Sequence, residues 1–426
     1  MPSDHTYKAI IVGAHGLVGS SAFMEAAKLC HSQASTSSSS SGFFPPPDVL
    51  AFDQFPLGHK NGSSHGKSRI TRLAIGEGDD YVALAKRSQT ITQEIQQVTG
   101  KQLIHLKSEH CAPGLIIGPV SNNNAASYHG SAGGFLQETT RIAVANQIPF
   151  QHHGRDELAE IFPQFNLRDI DAGYCEDTMG YIDPDECIQA NVELAKQYRG
   201  QLNTNEKVIG FEVRADGKVI VNTAKEQYLT RQLIIAAGPW LSQLVKDDLT
   251  TDLKVYRQTV YWFEVEKSQR DRFHRDKFPT FIWNLDAHNI IYGFPIMDDD
   301  STIKIGAESF VTETDPDHVN REVSAAEKLA MYERFRRYLP GITQNCVKAT
   351  TCLYTVAPNF RFLVDYLPGS NNVLIASACS GHGAKHAAAI GEALAQQSLT
   401  GRSNINIIDL FGGIESVRKR KAAYSP

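Results

Sequence analysis

The sequence predicts a two-domain α/β fold, of α+β type in the way its halves segregate. One domain is Rossmann-like and the other is built on a mainly antiparallel sheet. Three stretches predict it. Tyr7 to Lys28 opens with the apolar run Ala9-Ile10-Ile11-Val12, meets Gly13, Gly16 and Gly19, and continues from Ser20 as a helix. Residues 254–313 carry closely spaced β signals: VYRQTVYWFEV, FIWN, NIIYGFP and TIKIGAESF. Asn372 to Ala376 is a last apolar strand, running into Cys379-Ser-Gly-His-Gly-Ala-Lys385 and a small-residue helix ending near Leu399.

The first stretch has the layout that holds a dinucleotide pyrophosphate. Glycines let the backbone approach the phosphates, and the helix N-terminus offers free N–H groups and partial positive charge. The spacing is G-x-x-G-x-x-G, one residue longer than usual, with His15 as the addition. An ordinary strand–turn–helix is the competing reading; the position on the first strand favours the nucleotide.

Composition sets limits. With 426 residues the chain is long enough for two cores, and 42% hydrophobic with 21% charged residues is ordinary for a globular protein. A net charge of −5 argues against a nucleic-acid partner. The seven cysteines form no C-x-x-C pair, and no signal peptide precedes the first strand. Reduced thiols in the cytoplasm follow. No metal site is expected, and no apolar stretch reaches the roughly 18 residues of a membrane helix.

Along the chain, residues 31–47 (HSQASTSSSSSGFFPPP) read as a flexible insertion. The second strand, Asp48 to Phe52, ends at Asp53. An acidic residue there takes ribose hydroxyls; the alternative is a turn residue before Pro56. Gly62 to Arg72 is dense in glycine, hydroxyl and basic residues, which suits an anion-contacting loop. Arg69 and Arg72 share a face if the segment is helical. Tyr81 to Thr99 reads as an amphipathic helix with Leu84, Ile91, Ile95 and Val98 on one side. Asp185 to Lys196 is a helix, and Lys207–Val213 with Lys218–Asn222 is a hairpin turned at Asp216-Gly217. Gln232 to Trp240 is a buried strand ending in small residues, and Ser324 to Tyr338 a charged helix. The segments 1–103, 173–252 and 345–426 are expected to form the first domain, and 104–172 with 253–344 the second.

These motifs together resemble a known family. The glycine turn, GSSHGKSRITR at 62–72, GEGDDYVALAKRSQ at 76–89, YRQ at 256–258, YGFP at 292–295, IKIG at 303–306, CLYT at 352–355 and SGHGAK at 380–385 resemble the sarcosine oxidase-like flavin amine oxidases. That family includes monomeric sarcosine oxidase, N-methyltryptophan oxidase and pipecolate oxidase. The resemblance implies an FAD-binding domain of the glutathione-reductase/D-amino-acid-oxidase type, roofed by the second domain. It also implies a monomer that oxidises the C–N bond of a secondary amino acid to an imine and reduces oxygen to hydrogen peroxide.

The resemblance also implies roles. Gly13, Gly16, Gly19, Asp53, Ser63, Gly238, Trp240, Gly381 and Gly383 would hold FAD. Cys352 matches the cysteine bonded to the flavin 8-methyl carbon, with His65 and Arg69 near the linkage. A thiolate is the nucleophile such chemistry needs; read alone, Cys352 is a buried core thiol. Arg72 and Lys385 match the pair that holds the substrate carboxylate, and Lys385 would also sit in the first turn of a helix aimed at the flavin. Lys304 matches the oxygen-activating lysine, although strand alternation against Ile303 and Ile305 points it to solvent. Tyr292 matches a pocket tyrosine, and Tyr354 would line the same cavity.

Three positions depart from the family. Glu308 replaces a histidine, Ile75 a tyrosine and Ala384 a phenylalanine. The two smaller side chains imply a substrate bulkier than sarcosine. Saccharopine, fructosyl amino acids and a specialised-metabolism precursor are open alternatives. A flavin dehydrogenase, a catalytically inactive flavoprotein and an NAD-dependent dehydrogenase are the competing classes.

Overall fold

The computed structural model describes residues 5–35, 46–120, 134–247, 249–286, 289–297 and 301–412. Two eight-stranded sheets and one three-stranded sheet organise these residues.

In the first sheet, Thr6–Val12 lies between Val49–Phe52 and Gln227–Ile235, parallel to both. Gln201–Asn203 extends it past Val49–Phe52. Val373–Ser377, and then antiparallel Leu363–Tyr366, extend it past Gln227–Ile235. Strand 227–235 has a divided role. Its first half pairs with Val219–Thr223 of a hairpin, and its second half, Leu233–Ile235, pairs with Val373–Ile375. Side-chain alternation then feeds two cores. Ala9 and Ile11 pack on the side of the helices Leu17–Ser35, Pro184–Gln197 and Ala387–Thr400. Ile10 and Val12 pack with Val219 and Val221 of the hairpin. Burial on both faces is why this strand is a continuous apolar run.

The second sheet runs Ile342–Val356, Lys254–Val265, Thr302–Ala307, Asn289–Phe294, Phe281–Asp286, Gly114–Pro119, Asp171–Glu176, Gln151–His153. Every neighbouring pair is antiparallel except Phe281–Asp286 with Gly114–Pro119. Phe263, Phe281, Trp283, Ile303 and Ile305 bury one face against Phe165, Phe278 and Phe335. The opposite face turns toward the first domain. The small sheet joins Arg69–Thr71, Gly180–Ile182 and Ile104–His105.

Several expectations change. The first helix begins at Leu17 rather than Ser20 and runs through Ser35, so His31–Ser35 of the expected insertion are helical; residues 36–45 lie outside the described residues. The expected domain boundary at 345 falls inside strand Ile342–Val356, which pairs along Lys254–Val265 and so belongs to the second sheet. The boundary at 173 likewise cuts strand Asp171–Glu176. Val98 is 69% exposed, off the apolar face of its helix. Arg69 begins a short strand, so it does not share a helical face with Arg72. Among the described residues, no helix is long and apolar enough to cross a membrane. All seven cysteines are free thiols.

Candidate active site and cofactor cleft

A cavity of about 750 Å³ opens at the C-terminal ends of the first sheet's parallel strands. That is the usual ligand position in open α/β sheets, and the volume is that of a small-molecule site. It is lined by Gly13, Gly16, Gly19, Asp53, Ser63, His65, Arg69, Gly238, Trp240, Gly381 and Gly383. Eleven residues expected to hold a cofactor thus meet around one space, although they come from five parts of the chain. Cys352, Lys385, Arg72, Lys304, Tyr292 and Glu308 are not on its wall.

The glycine turn explains the first part. Gly13 has φ +95, and a Cβ there would meet Ala236 O at 2.4 Å. A Cβ on Gly19 would meet Gly13 O at 2.0 Å. Gly16 is looser, so the closely packed pair is Gly13 with Gly19. The additional residue is used: the His15 N–H donates to Asp53 Oδ2 at 2.9 Å. Asp53 also accepts from the Phe55 N–H at 3.0 Å, and burial raises its carboxyl above the usual carboxylate range. The His15 ring is buried, with Nδ1 3.8 Å from Asp53 Oδ1, and neither nitrogen makes a well-formed hydrogen bond among the described residues. Burial lowers its pKa to about 4, so the imidazole is neutral. Orphaned neutral donors and acceptors beside a carboxylate fit ribose hydroxyls. The N-terminus of helix Leu17–Ser35 beyond the turn fits a pyrophosphate. The cleft therefore fits FAD.

The segment 62–72 is tied down by Arg69. Its guanidinium donates to the carbonyls of Ser63, His65 and Ser68, each at 2.8–2.9 Å. His65 Nε2 lies 3.2 Å from the Thr351 carbonyl. A carbonyl only accepts, so Nε2 carries the proton. Burial, and then the Arg69 charge, push the His65 pKa down to about 3, which leaves Nδ1 as a neutral lone pair. Thr351 precedes Cys352, whose thiol is buried and raised by desolvation against the opposing charges of Arg69 and Lys304.

Behind segment 62–72, off the cavity wall, the second sheet holds Cys352, Lys304 and Tyr292. Lys304 is 3% exposed, not solvent-facing as alternation implied. Its Nζ donates to Ser68 O at 2.9 Å and Ser68 Oγ at 3.1 Å. Burial, then Arg69, hold its pKa well below the usual lysine value. The Tyr292 ring crosses Gly306, where a Cβ would come within 2.6 Å of the ring and the hydroxyl. Burial raises the Tyr292 pKa, with Cys352 and Glu308 adding to it. Tyr354 lines the cavity.

Arg72 and Lys385 converge on one carboxylate, that of Glu77, which the sequence reading did not single out. Arg72 meets Glu77 Oε2 at 2.5 Å, and Lys385 Nζ meets Oε1 at 3.4 Å. All three are buried. Lys385 also donates to the His382 carbonyl at 2.8 Å, and its place is the 3-10 turn Gly383–His386 ahead of helix Ala387–Thr400. Burial lowers its pKa to about 8, against the raising effect of Glu77; Glu308 also acts on it. Of the two smaller replacements, Ala384 lines the cavity, whereas Ile75 is fully buried and off its wall.

A parallel sheet with a glycine-lined cleft, roofed by a sheet that carries a buried lysine and thiol, defines a nucleotide-cofactor oxidoreductase. The chain belongs to the FAD dependent oxidoreductase family, whose profile matches residues 8–397. Within it the chain belongs to the sarcosine oxidase-like flavin amine oxidases. It is 34% identical over 362 residues to a monomeric sarcosine oxidase of Bacillus sp. (strain NS-129), covering 84% of this chain and 88% of that one. It is 26% identical over 360 residues to an N-methyl-L-tryptophan oxidase of Yersinia pestis (strain Pestoides F), covering 82% and 87%. The fold is similar to that of NikD, described as an unusual amino acid oxidase essential for nikkomycin biosynthesis. The TM-score is 0.76 at 18% identity, over 96% of this chain and 98% of that one. The protein is an FAD-dependent oxidoreductase acting on CH–NH donors.

Proposed function

We propose that the protein is an oxidase of a secondary amino acid bulkier than sarcosine, N-substituted or cyclic, and that it carries FAD bonded to Cys352. FAD, when bound, would supply the two-electron acceptor for the C–H hydride lost as the C–N bond becomes an imine, and the route of those electrons to oxygen. The observation that carries the reading is the convergence of Arg72 and Lys385 on a single buried carboxylate. Two cations fixed on one anion form a site for an α-carboxylate, and Glu77 occupies it when no substrate does.

The chain's residues then divide the work. Arg72 and Lys385 orient the substrate through its carboxylate, which fixes the reacting carbon. Tyr292 and Glu308 lie near this site, and the Glu308 carboxylate receives the substrate's amine. His65 would stand by the linkage as a neutral imidazole; joining Cys352 to the 8-methyl carbon of bound FAD would break the thiol S–H and one methyl C–H, release two protons and leave two electrons on the flavin for oxygen to remove. Lys304 holds a buried positive charge for the oxygen half-reaction, with two of its N–H bonds directed at Ser68. Ala384 leaves room on the cavity wall for the larger substrate.

The test is anaerobic bleaching of the flavin with a panel of N-methyl, cyclic and N-alkyl amino acids, followed by peroxide measurement in air. The reading expects bleaching by a bulky or cyclic member, stoichiometric peroxide, and little turnover of the corresponding amide. An amide used as well as the acid would remove the carboxylate site; bleaching without peroxide would make the protein a dehydrogenase.

A further inference from the structure

On the cleft-facing side of the second sheet, four side chains from four adjacent strands stand in one row. Lys348 is the cross-strand partner of Trp262, Trp262 of Lys304, and Lys304 of Phe294. Directly opposed residues share a face, so the register itself builds the row. Lys348 Nζ lies 4.4 Å from the Trp262 ring centroid, and Lys304 Nζ lies 5.7 Å from the same ring. Lys304 Nζ is also 4.7 Å from the Phe294 ring. The row is graded in burial. Lys348 is exposed, Trp262 half-buried, and Lys304 and Phe294 buried. A single indole therefore joins a surface ammonium to a buried one.

An ammonium has three donors, and two from Lys304 go to Ser68. The rest of its stabilisation has to come from its surroundings, because burial has removed its water. The faces of aromatic rings attract cations, most strongly when water is absent. The charged and titratable groups facing Lys304 come from three elements. Arg69 and neutral His65 belong to segment 62–72, Lys348 and Cys352 to strand Ile342–Val356, and Asp185 to the start of helix Pro184–Gln197. Arg69 and Lys348 oppose the charge on Lys304; Asp185 and the Cys352 thiol favour it.

We propose that Trp262 and Lys348 are positioning residues that set the protonation of Lys304 from opposite directions: Trp262 holds the ammonium, and Lys348 presses against it. The proposal rests on reading Lys304 as the cation of the oxygen half-reaction. Its consequence is that the alkaline limit of flavin reoxidation is set from the protein surface.

The experiment titrates Lys304 directly, by NMR of protein labelled with [ε-13C]lysine, with and without flavin. Lys304→Met removes one resonance and assigns it. Trp262→Leu should lower the Lys304 midpoint by about one pH unit, the size of a desolvated cation–π contact. Lys348→Met should raise it. Trp262→Phe, which keeps an aromatic face and suits the fold if the leucine variant is unstable, should restore most of the loss. Stopped-flow reoxidation should show the alkaline limb moving with each midpoint. Midpoints that do not move, or that move the same way in the Trp262 and Lys348 variants, overturn the proposal. Midpoints that move as expected while the reoxidation limb stays fixed leave the row intact and overturn the reading of Lys304 instead.

Discussion

Replacing Glu77 with Gln removes a carboxylate charge from between Arg72 and Lys385 while keeping its shape. At 3.4 Å and an effective dielectric near 20, the attraction between Lys385 and Glu77 is about 5 kcal/mol. Even a third of that moves a titration by more than about one pH unit. Lys385 already titrates near 8 because burial outweighs Glu77. In the wild type, affinity for a simple carboxylate should therefore fall about tenfold per pH unit above that point, as the cation is lost. In Glu77→Gln the break should come about one unit lower. At pH 6, below both breaks, the variant should bind the carboxylate more tightly, since the internal competitor is gone. The assay is a flavin difference-spectrum titration with propionate from pH 6 to 10, and Lys385→Met should show no break in this range. Coincident breaks in wild type and variant, or weaker binding by the variant at pH 6, would refute the reasoning.

Stability should carry the same signature. Below pH 8 Lys385 is protonated in both folded and unfolded states; between about 8 and 10.5 the unfolded chain binds the extra proton, so stability gains roughly 3 kcal/mol as pH rises. Denaturant melts of the wild type against Lys385→Met should diverge by that slope, and parallel curves would reject it. If Cys352 carries the flavin, Cys352→Ala should release it on acid precipitation, whereas retention would end the assignment. Lys304→Met should slow reoxidation of reduced flavin by orders of magnitude with reduction less affected, and equal slowing of both would argue against its role. Gly19→Ala places a methyl 2.0 Å from Gly13 O. A shift of the glycine turn costing about 1–3 kcal/mol should weaken FAD binding to the apoprotein by roughly tenfold or more. Unchanged affinity would mean that the turn does not clamp the nucleotide.

Much of the fold was legible because both sheets announce themselves. The double-sided burial of Thr6–Val12 appears as an unbroken apolar run, and the second sheet as dense aromatic and β-branched segments. The hairpin turn at Asp216-Gly217 was legible for a local reason, a positive φ at Gly217 of 80. What failed was long-range. Lys304 alternates with two isoleucines, and alternation treats the second face as solvent. Here that face is the roof of a cleft, and Ser68, 236 residues away, supplies its hydrogen bonds. Glu77 went unassigned because its partners lie at Arg72 and Lys385, and only folding brings the second of them near. The boundary at 345 failed because a strand's sheet membership depends on its partner, not on its own sequence. Ile75 was read as pocket space, but substitution patterns do not say which way a small side chain points.

The first helix has its neighbour far along the chain. Leu17–Ser35 packs along Ala387–Thr400, and the Ser21 hydroxyl donates to the Ala388 carbonyl across 367 residues. Phe23 and Met24 are buried in that same core. During synthesis the glycine turn and its helix leave the ribosome long before residues 387–400, part of the surface that covers them. The nascent chain must hold an apolar helix without that cover while the residues between are made. That is a window for aggregation and for chaperone capture, and contacts so distant in sequence make folding slow. A cofactor cleft built from segments so far apart in sequence also inspects its own completeness. A product truncated before residue 387 would lack the helix that packs on Leu17–Ser35.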